Sequence, residues 1–162
     1  MKTLRTQRGV GLVEVLVALV IMAVGLLGIS GLYVESLRAN RTALLRTQAV
    51  NLANDMADRI RANRRGRTDY VKAVSDTPAE QGCLAAACSA QKLALDDLAT
   101  WDAAVTKRLP ADSAGTKAKT SVAFVPAAAG TLDRYTVRIE WTEPSQADPL
   151  AYQLVFDVLP PT

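Results

Sequence analysis

The residue that stands out for its chemistry is Glu14, a carboxylate placed inside a long apolar segment. Between Val10 and Val34 it is the single charged side chain, and this segment contains no proline. A charge at membrane depth is costly, so an ionisable residue there indicates a functional position. We expect another group to neutralise Glu14, namely a protein N-terminal amine, a lysine or a proton.

The segment that surrounds Glu14 is long enough to cross a membrane. A bilayer core requires about 20 apolar residues in a helix, and a backbone inside lipid must satisfy its own hydrogen bonds. We therefore expect residues 10–34 to form a helix that enters a membrane. Residues 1–9 are basic and contain no acid, which predicts that this end is held in the cytoplasm. No small-residue cleavage site follows the apolar run, so the candidate cleavage position is Gly9, ahead of it.

The order of these features resembles the class III signal of type IV pilins and pseudopilins: a basic leader, then Gly9, then Glu14 at the fifth position after the glycine. The run LVEVLVALVIMAVGLLGISGL and the later NDMADRIRAN are similar to the PilV-type minor pilins, also called type IV pilus modification proteins. The resemblance implies that a prepilin peptidase removes residues 1–9, that Val10 is N-methylated, and that Glu14 pairs with the N-terminus of a neighbouring subunit. Val10 and Gly11 depart from the Phe or Met and the Thr that are commoner in pilins.

The same resemblance implies a minor pilin that is incorporated into a type IV pilus or primes its assembly, and so supports adhesion and twitching motility. The implied partners are the prepilin peptidase, other minor pilins, the major pilin, membrane lipid before assembly and a large pilus-tip adhesin. The implied location is the inner membrane, with one span and a periplasmic C-terminal head, and later the pilus on the cell surface. The alternatives are a minor pseudopilin of a type II secretion system, a DNA-capturing pilin and a signal-anchored periplasmic binding domain.

Helical periodicity continues beyond the apolar segment. Apolar residues recur at three- and four-residue spacing through residues 35–63, with polar residues between them, so this stretch is predicted to be the amphipathic half of one long helix. Gly66 is predicted to end that helix. Three glycines lie three positions apart in the first half, a spacing that permits close helix packing but is also ordinary in membrane spans. They are Gly25, Gly28 and Gly31.

The remaining residues, 64–162, are predicted to form one globular head. A loop over residues 66–89 is followed by a helix at about 90–109, with Ser89 as its N-cap and Pro110 as its stop. On this helix Leu95, Leu98 and Trp101 are expected on the core face, and the adjacent carboxylates Asp96 and Asp97 in solvent. Alternating apolar residues predict three antiparallel strands, at about 119–125, 133–142 and 151–158. The fold class is therefore α+β and type IV pilin-like, with the long N-terminal helix packed on a C-terminal antiparallel sheet.

The two cysteines, Cys83 and Cys88, are interpreted as a structural disulfide because the compartment beyond the membrane is oxidising. Free or redox-active thiols are the alternative. Two thiols in a chain without histidine make a poor zinc site, and no metal is expected. The sequence contains no histidine, P-loop or G-x-S-x-G motif. We therefore expect neither an enzyme nor a cofactor.

Charge is unevenly distributed along the chain. Residues 35–72 contain nine basic and four acidic side chains, whereas residues 73–162 contain seven basic and eleven acidic ones. This asymmetry suits contacts between neighbouring molecules. A candidate basic interaction patch comprises Arg59, Arg61, Arg64, Arg65 and Arg67. Since aromatic residues are not interleaved with these arginines, a helix end or a surface for an acidic neighbour is favoured over binding of nucleic acid.

Overall fold

The computed structural model describes residues 11–111, 115–128, 131–143 and 148–161. The chain divides into two compact units, Met1–Arg41 and Thr42–Thr162, and one long helix contributes to both. The fold class is α+β, with a long N-terminal helix and a three-stranded antiparallel sheet, as predicted. The elements in chain order are α1 (Leu12–Ala62), a 3-10 helix (Arg64–Tyr70), α2 (Ala90–Arg108), β1 (Lys119–Val125), β2 (Asp133–Trp141) and β3 (Leu150–Val158).

The first unit consists of the apolar beginning of α1. Its first turn closes on the carbonyl of Gly11, which accepts hydrogen bonds from the amides of Glu14 and Val15 at 3.0 and 3.3 Å. An 18-residue window of this helix has a mean hydropathy of 2.8, and none of that window is buried. By length and composition, α1 could cross a membrane.

The second unit encloses the hydrophobic core. The part of α1 beyond Thr42, helix α2 and one face of the sheet contribute to the same cluster of buried side chains. Apolar residues of α1 occur on one stripe at helical spacing, which is why this half of the helix has a buried face while its other side is polar. The α1 residues of the core are Leu45, Ala49, Leu52, Ala53, Met56, Ala57 and Ile60.

Helix α2 packs against α1 through Trp101, which is fully buried. Its indole Nε1–H donates to the carbonyl oxygen of Leu52 at 2.8 Å, so the largest side chain of the core also satisfies its polar atom. The hydroxyl of Ser89 accepts a hydrogen bond from the amide of Lys92, which confirms Ser89 as the N-cap. One prediction for the core face is wrong, because Leu95 is exposed and Ala94 is fully buried.

The sheet is an antiparallel meander with β2 in the centre. The side chains of β2 alternate between buried and exposed or half-buried, so the strand predicted from its alternating apolar residues is confirmed. Tyr135 lies opposite Phe124 on β1 and Phe156 on β3, with ring centroids 4.9 and 5.7 Å away. Beyond β1, the amide and carbonyl of Lys72 pair with those of Val122 at 2.9 Å each, so a bridge covers part of that edge.

The predicted role of Gly66 as the helix stop is wrong. Helix α1 ends at Ala62, and the chain continues into the 3-10 helix that contains Gly66. A Cβ atom at this position would lie 2.7 Å from Cε2 of Tyr70 and 3.1 Å from Cβ of Ala94. Glycine is required because three side chains, those of Tyr70, Asn63 and Ala94, approach its backbone closely. The positive φ of this turn belongs instead to Arg67, at 29°.

Candidate functional site

Of the residues that the sequence singled out for processing and assembly, Glu14 lies at the N-terminal end of α1. Gly9 and Val10, the candidate cleavage and methylation positions, lie outside the described residues. Glu14 lies in the first turn of α1 and is exposed. This position suits a carboxylate, since the unpaired amides at a helix N-terminus favour negative charge. None of the described residues forms an ion pair with Glu14.

The helix around Glu14 presents apolar side chains on every side. Leu12, Leu27 and Leu32 are 81%, 73% and 74% exposed, and their large apolar neighbours from Val13 to Val34 are about half exposed or more. A contiguous apolar surface of this kind is not maintained in water and indicates a membrane or protein contact. The segment therefore requires lipid or other helices around it.

The three glycines of this segment leave open space beside the helix. A Cβ atom at Gly25, Gly28 or Gly31 would meet nothing within 4 Å. Small residues at such spacing allow another helix to approach closely. The packing within the described chain does not require these glycines, in contrast to Gly66, and any packing role for them lies with another molecule.

The predicted cysteine pair forms a small closed loop on the second unit. Cys83 and Cys88 are joined by a disulfide. The same loop is attached to α2 through Asp96, whose Oδ1 accepts hydrogen bonds from the amides of Gln81 and Gly82. Asp96 is buried, so the prediction that it lies in solvent is wrong.

Asp97, the second carboxylate of the pair, was also wrongly predicted to be solvated. It accepts hydrogen bonds from Nη1 of Arg59 at 3.0 Å and from the hydroxyl of Tyr70 at 2.6 Å. Burial raises the pKa of Tyr70 well above its usual value, and the bond to Asp97 raises it further. Burial lowers the pKa of Arg59, but Asp97 and Asp55 outweigh this effect and raise it. This cluster connects α1, the 3-10 helix and α2.

The candidate basic patch does not form one uniform surface. Three of its five arginines have carboxylate partners within the fold: Arg59 with Asp55 and Asp97, Arg61 with Asp58, and Arg67 with Asp133. Arg64 and Arg65 are exposed, and neither has an ion-pair partner among the described residues. The structure therefore uses most of this charge internally, which weakens the case for a phosphate-binding surface.

Two families of known proteins match this chain. The family described as type IV pilin Tt1218 matches residues 31–102, and the prokaryotic N-terminal methylation motif matches residues 4–30. No curated protein and no solved structure shows a significant match. Together the two matches support a type IV pilin with a structural role in a pilus or pseudopilus. The methylation motif implies processing by a prepilin peptidase and assembly as a pilin.

Proposed function

We propose that the chain, as a type IV pilin, acts as a minor pilin of the PilV type. In this proposal a prepilin peptidase cleaves after Gly9, and the exposed amine of Val10 is methylated. The helix over residues 10–34 holds the protein in the inner membrane, with the head in the periplasm, until it enters the pilus. The observation that carries the proposal is the exposed apolar beginning of α1, from Leu12 to Val34, which overlaps the match to the methylation motif.

The proposed role of Glu14 is to pair with the N-terminal amine of a neighbouring subunit. Its first-turn position at the exposed end of α1 leaves the carboxylate accessible to another molecule. Two opposite charges attract far more strongly among apolar side chains than in water. The pair would therefore align one apolar helix with the next, which apolar packing alone does not do.

The test of this role is Glu14→Ala in the full-length chain. Leader cleavage should be normal, because the cut precedes the helix, whereas the amount of protein in sheared filaments should fall sharply. Removing one partner of a buried ion pair costs about 3–5 kcal/mol, since the remaining charge is left without compensation. The measurements are the intact mass of the membrane form and quantification of the filament fraction.

The matched control is Glu35→Ala. Glu35 is also on α1 but follows the apolar run, is 75% exposed and lies 3.8 Å from Arg38, so its loss should matter little. Normal incorporation of Glu14→Ala would refute the assembly role. Uncleaved precursor in an otherwise competent host would instead favour a signal anchor.

The runner-up function is a minor pseudopilin of a type II secretion system, which uses the same kind of N-terminal signal. Deleting the gene that encodes this chain distinguishes the two functions. Loss of surface pili and of twitching motility is expected for the minor pilin. Loss of exoprotein secretion with normal piliation would assign the chain to the secretion system.

A further inference from the structure

The disulfide loop is a rigid protrusion with an apolar tip. Leu84 is 101% exposed, and the three alanines that follow it are exposed as well. The loop is closed by the Cys83–Cys88 disulfide, fastened at its start by Asp96, and turned at Gly82, whose φ is +72°. An apolar group on a rigid support loses little conformational entropy when it binds. This loop therefore has the properties of a docking element.

The second unit also contains an apolar groove, of about 420 Å³, between α1 and the sheet. The ring of Trp141 is held by a hydrogen bond from its Nε1–H to Glu143 at 3.3 Å, so this wall is fixed. The charged residue of the lining is Arg46, which is exposed and has no described ion-pair partner. The lining comprises Arg46, Val50, Trp141, Leu150, Ala151 and Tyr152.

The loop and the groove lie at opposite ends of the second unit. The groove is beside Val50, whereas the start of α2 that bears the loop lies beside the end of α1, where Nδ2 of Asn63 donates to the carbonyl of Ala90 at 2.8 Å. At about 1.5 Å per residue, Val50 and Ala62 are about 18 Å apart along the helix. The loop, being fastened at its own end, can fill the groove of another molecule but not its own.

We propose that the loop of one copy of this chain docks into the groove of a second copy, with Leu84 against Leu150 and Tyr152, which line the groove and are half-buried. Charge supports this pairing, because Glu80 precedes the loop and Arg46 lines the groove. Because the loop and the groove are different surfaces of the same chain, the contact between them is heterologous, and it can extend from copy to copy. The contact requires neither leader cleavage nor Glu14, so it stands or falls independently of the proposed function.

The experiment places a photoreactive benzophenone side chain at position 152 in the full-length chain, which is made in a host without other pilins and solubilised in detergent, so that each copy is free to shift along its helix axis. Irradiation should produce a ladder of dimers and larger species, with the crosslink mapped by mass spectrometry to the loop peptide containing Leu84. Leu84→Asp should lower the yield about tenfold or more, which corresponds to about 1.4 kcal/mol. Leu159→Asp, at a leucine that is 63% exposed, is the matched control and should leave the yield unchanged.

Complementation then tests the direction of the contact. A chain with Leu84→Asp keeps only the groove, and a chain with Val50→Trp, whose groove is filled by a larger side chain at a lining position of α1, keeps only the loop. With the benzophenone in the groove-only chain, that chain alone should give at most about a tenth of the original yield, whereas the two chains together should give dimers and no larger species. A ladder from the groove-only chain alone, or no product from the pair, overturns the proposal.

A charge exchange provides the second, independent readout. Arg46→Glu and Glu80→Arg should each reduce the crosslink about threefold, as expected for exposed charges, and the double variant should restore it. The side chains of Arg46, Glu80, Leu84 and Leu159 are exposed in one copy, whereas Val50 and Tyr152 are half-buried. Unchanged unfolding midpoints verify that each variant folds. A crosslink that maps outside the loop, or a double variant weaker than both single variants, overturns the proposal.

Discussion

At the scale of single residues, Asp96 has the most consequential placement outside the apolar helix. Its carboxylate is buried, and it is stable there because two backbone amides, those of Gln81 and Gly82, donate to it. The residue therefore connects a surface loop to the core of the second unit. Its role is to position the loop, which the disulfide alone would close but not orient.

We predict that Asp96→Ala lowers the free energy of unfolding by about 1–3 kcal/mol, because two amides lose their acceptor. The disulfide should also be reduced faster by dithiothreitol, since the loop is no longer held against α2. Urea unfolding and the rate of thiol release are the measurements. Glu80→Ala, which removes an exposed acid from the same loop, is the control and should change neither. Equal reduction rates for the two variants would contradict the positioning role.

The buried tyrosines predict a loss of stability at high pH. Burial raises the pKa of Tyr135 to about 12, and the carboxylate of Asp133 adds to the shift. An unfolded tyrosine ionises near pH 10. The stabilisation is therefore complete below about pH 10 and is lost as the pH rises toward 12, by at most about 1.4 kcal/mol per pH unit for each such tyrosine. Unfolding free energies measured from pH 9 to 12 should decline less steeply for Tyr135→Phe, and an unchanged slope would refute this account.

At the scale of elements, the connection between α1 and α2 depends on close approach at Gly66. We predict that Gly66→Ala destabilises the second unit by about 1–3 kcal/mol, because the added methyl group overlaps Tyr70 and crowds Ala94. Thermal unfolding is the measurement. Gly28→Ala is the matched control, since its Cβ would meet nothing within 4 Å. Equal midpoints for the two variants would contradict this role of Gly66.

The elements were largely predictable from the sequence because their periodicities are strong. Trp141 and its alternating neighbours on β2 indicate a half-buried strand by themselves, and Ser89 is recognisable as an N-cap from its type and place. Gly66 was misinterpreted because glycine is common both after helices and at close contacts. What separates the two cases is the neighbouring side chain, and that neighbour comes from tertiary packing.

For the candidate site as well, local sequence features were predictable and contacts between distant residues were not. The spacing between Gly9 and Glu14 is a local signal, so it could be recognised without a structure. The partners of Asp96 and Asp97 lie 14 to 38 positions away in sequence, and adjacent acids on a helix carry no signal of burial. Similarly, two of the patch arginines, Arg59 and Arg67, have carboxylate partners on α2 and β2, and the sequence around them does not indicate these partners.

At the scale of the whole molecule, the buried core and the exposed apolar surface belong to different parts of the chain. Every buried apolar residue in the described part of the chain lies at or beyond Leu45, and the second unit begins at Thr42. The second unit therefore contains its own core. The apolar beginning of α1 contributes nothing to that core.

We predict that a fragment of residues 42–162 is soluble and unfolds cooperatively. A fragment beginning at Asp55 should not fold, because it lacks four buried residues, Leu45, Ala49, Leu52 and Ala53, and opens the sheet face that they cover. Circular dichroism during urea titration distinguishes the two fragments. A gradual, non-cooperative transition in the longer fragment would show that the core depends on the apolar segment.

The exposed apolar beginning of α1 determines how the free energy of the chain changes between a lipid bilayer and a bundle of similar helices. Lipid chains and apolar side chains are about equally apolar, so the hydrophobic effect barely distinguishes a bilayer from a bundle of similar helices. Transfer from one to the other is therefore nearly neutral for most of this segment, and the transfer can run in either direction. The direction of transfer is therefore set by the few groups whose free energy differs between a bilayer and a helix bundle. A small change in the free energy of one such group is enough to reverse it.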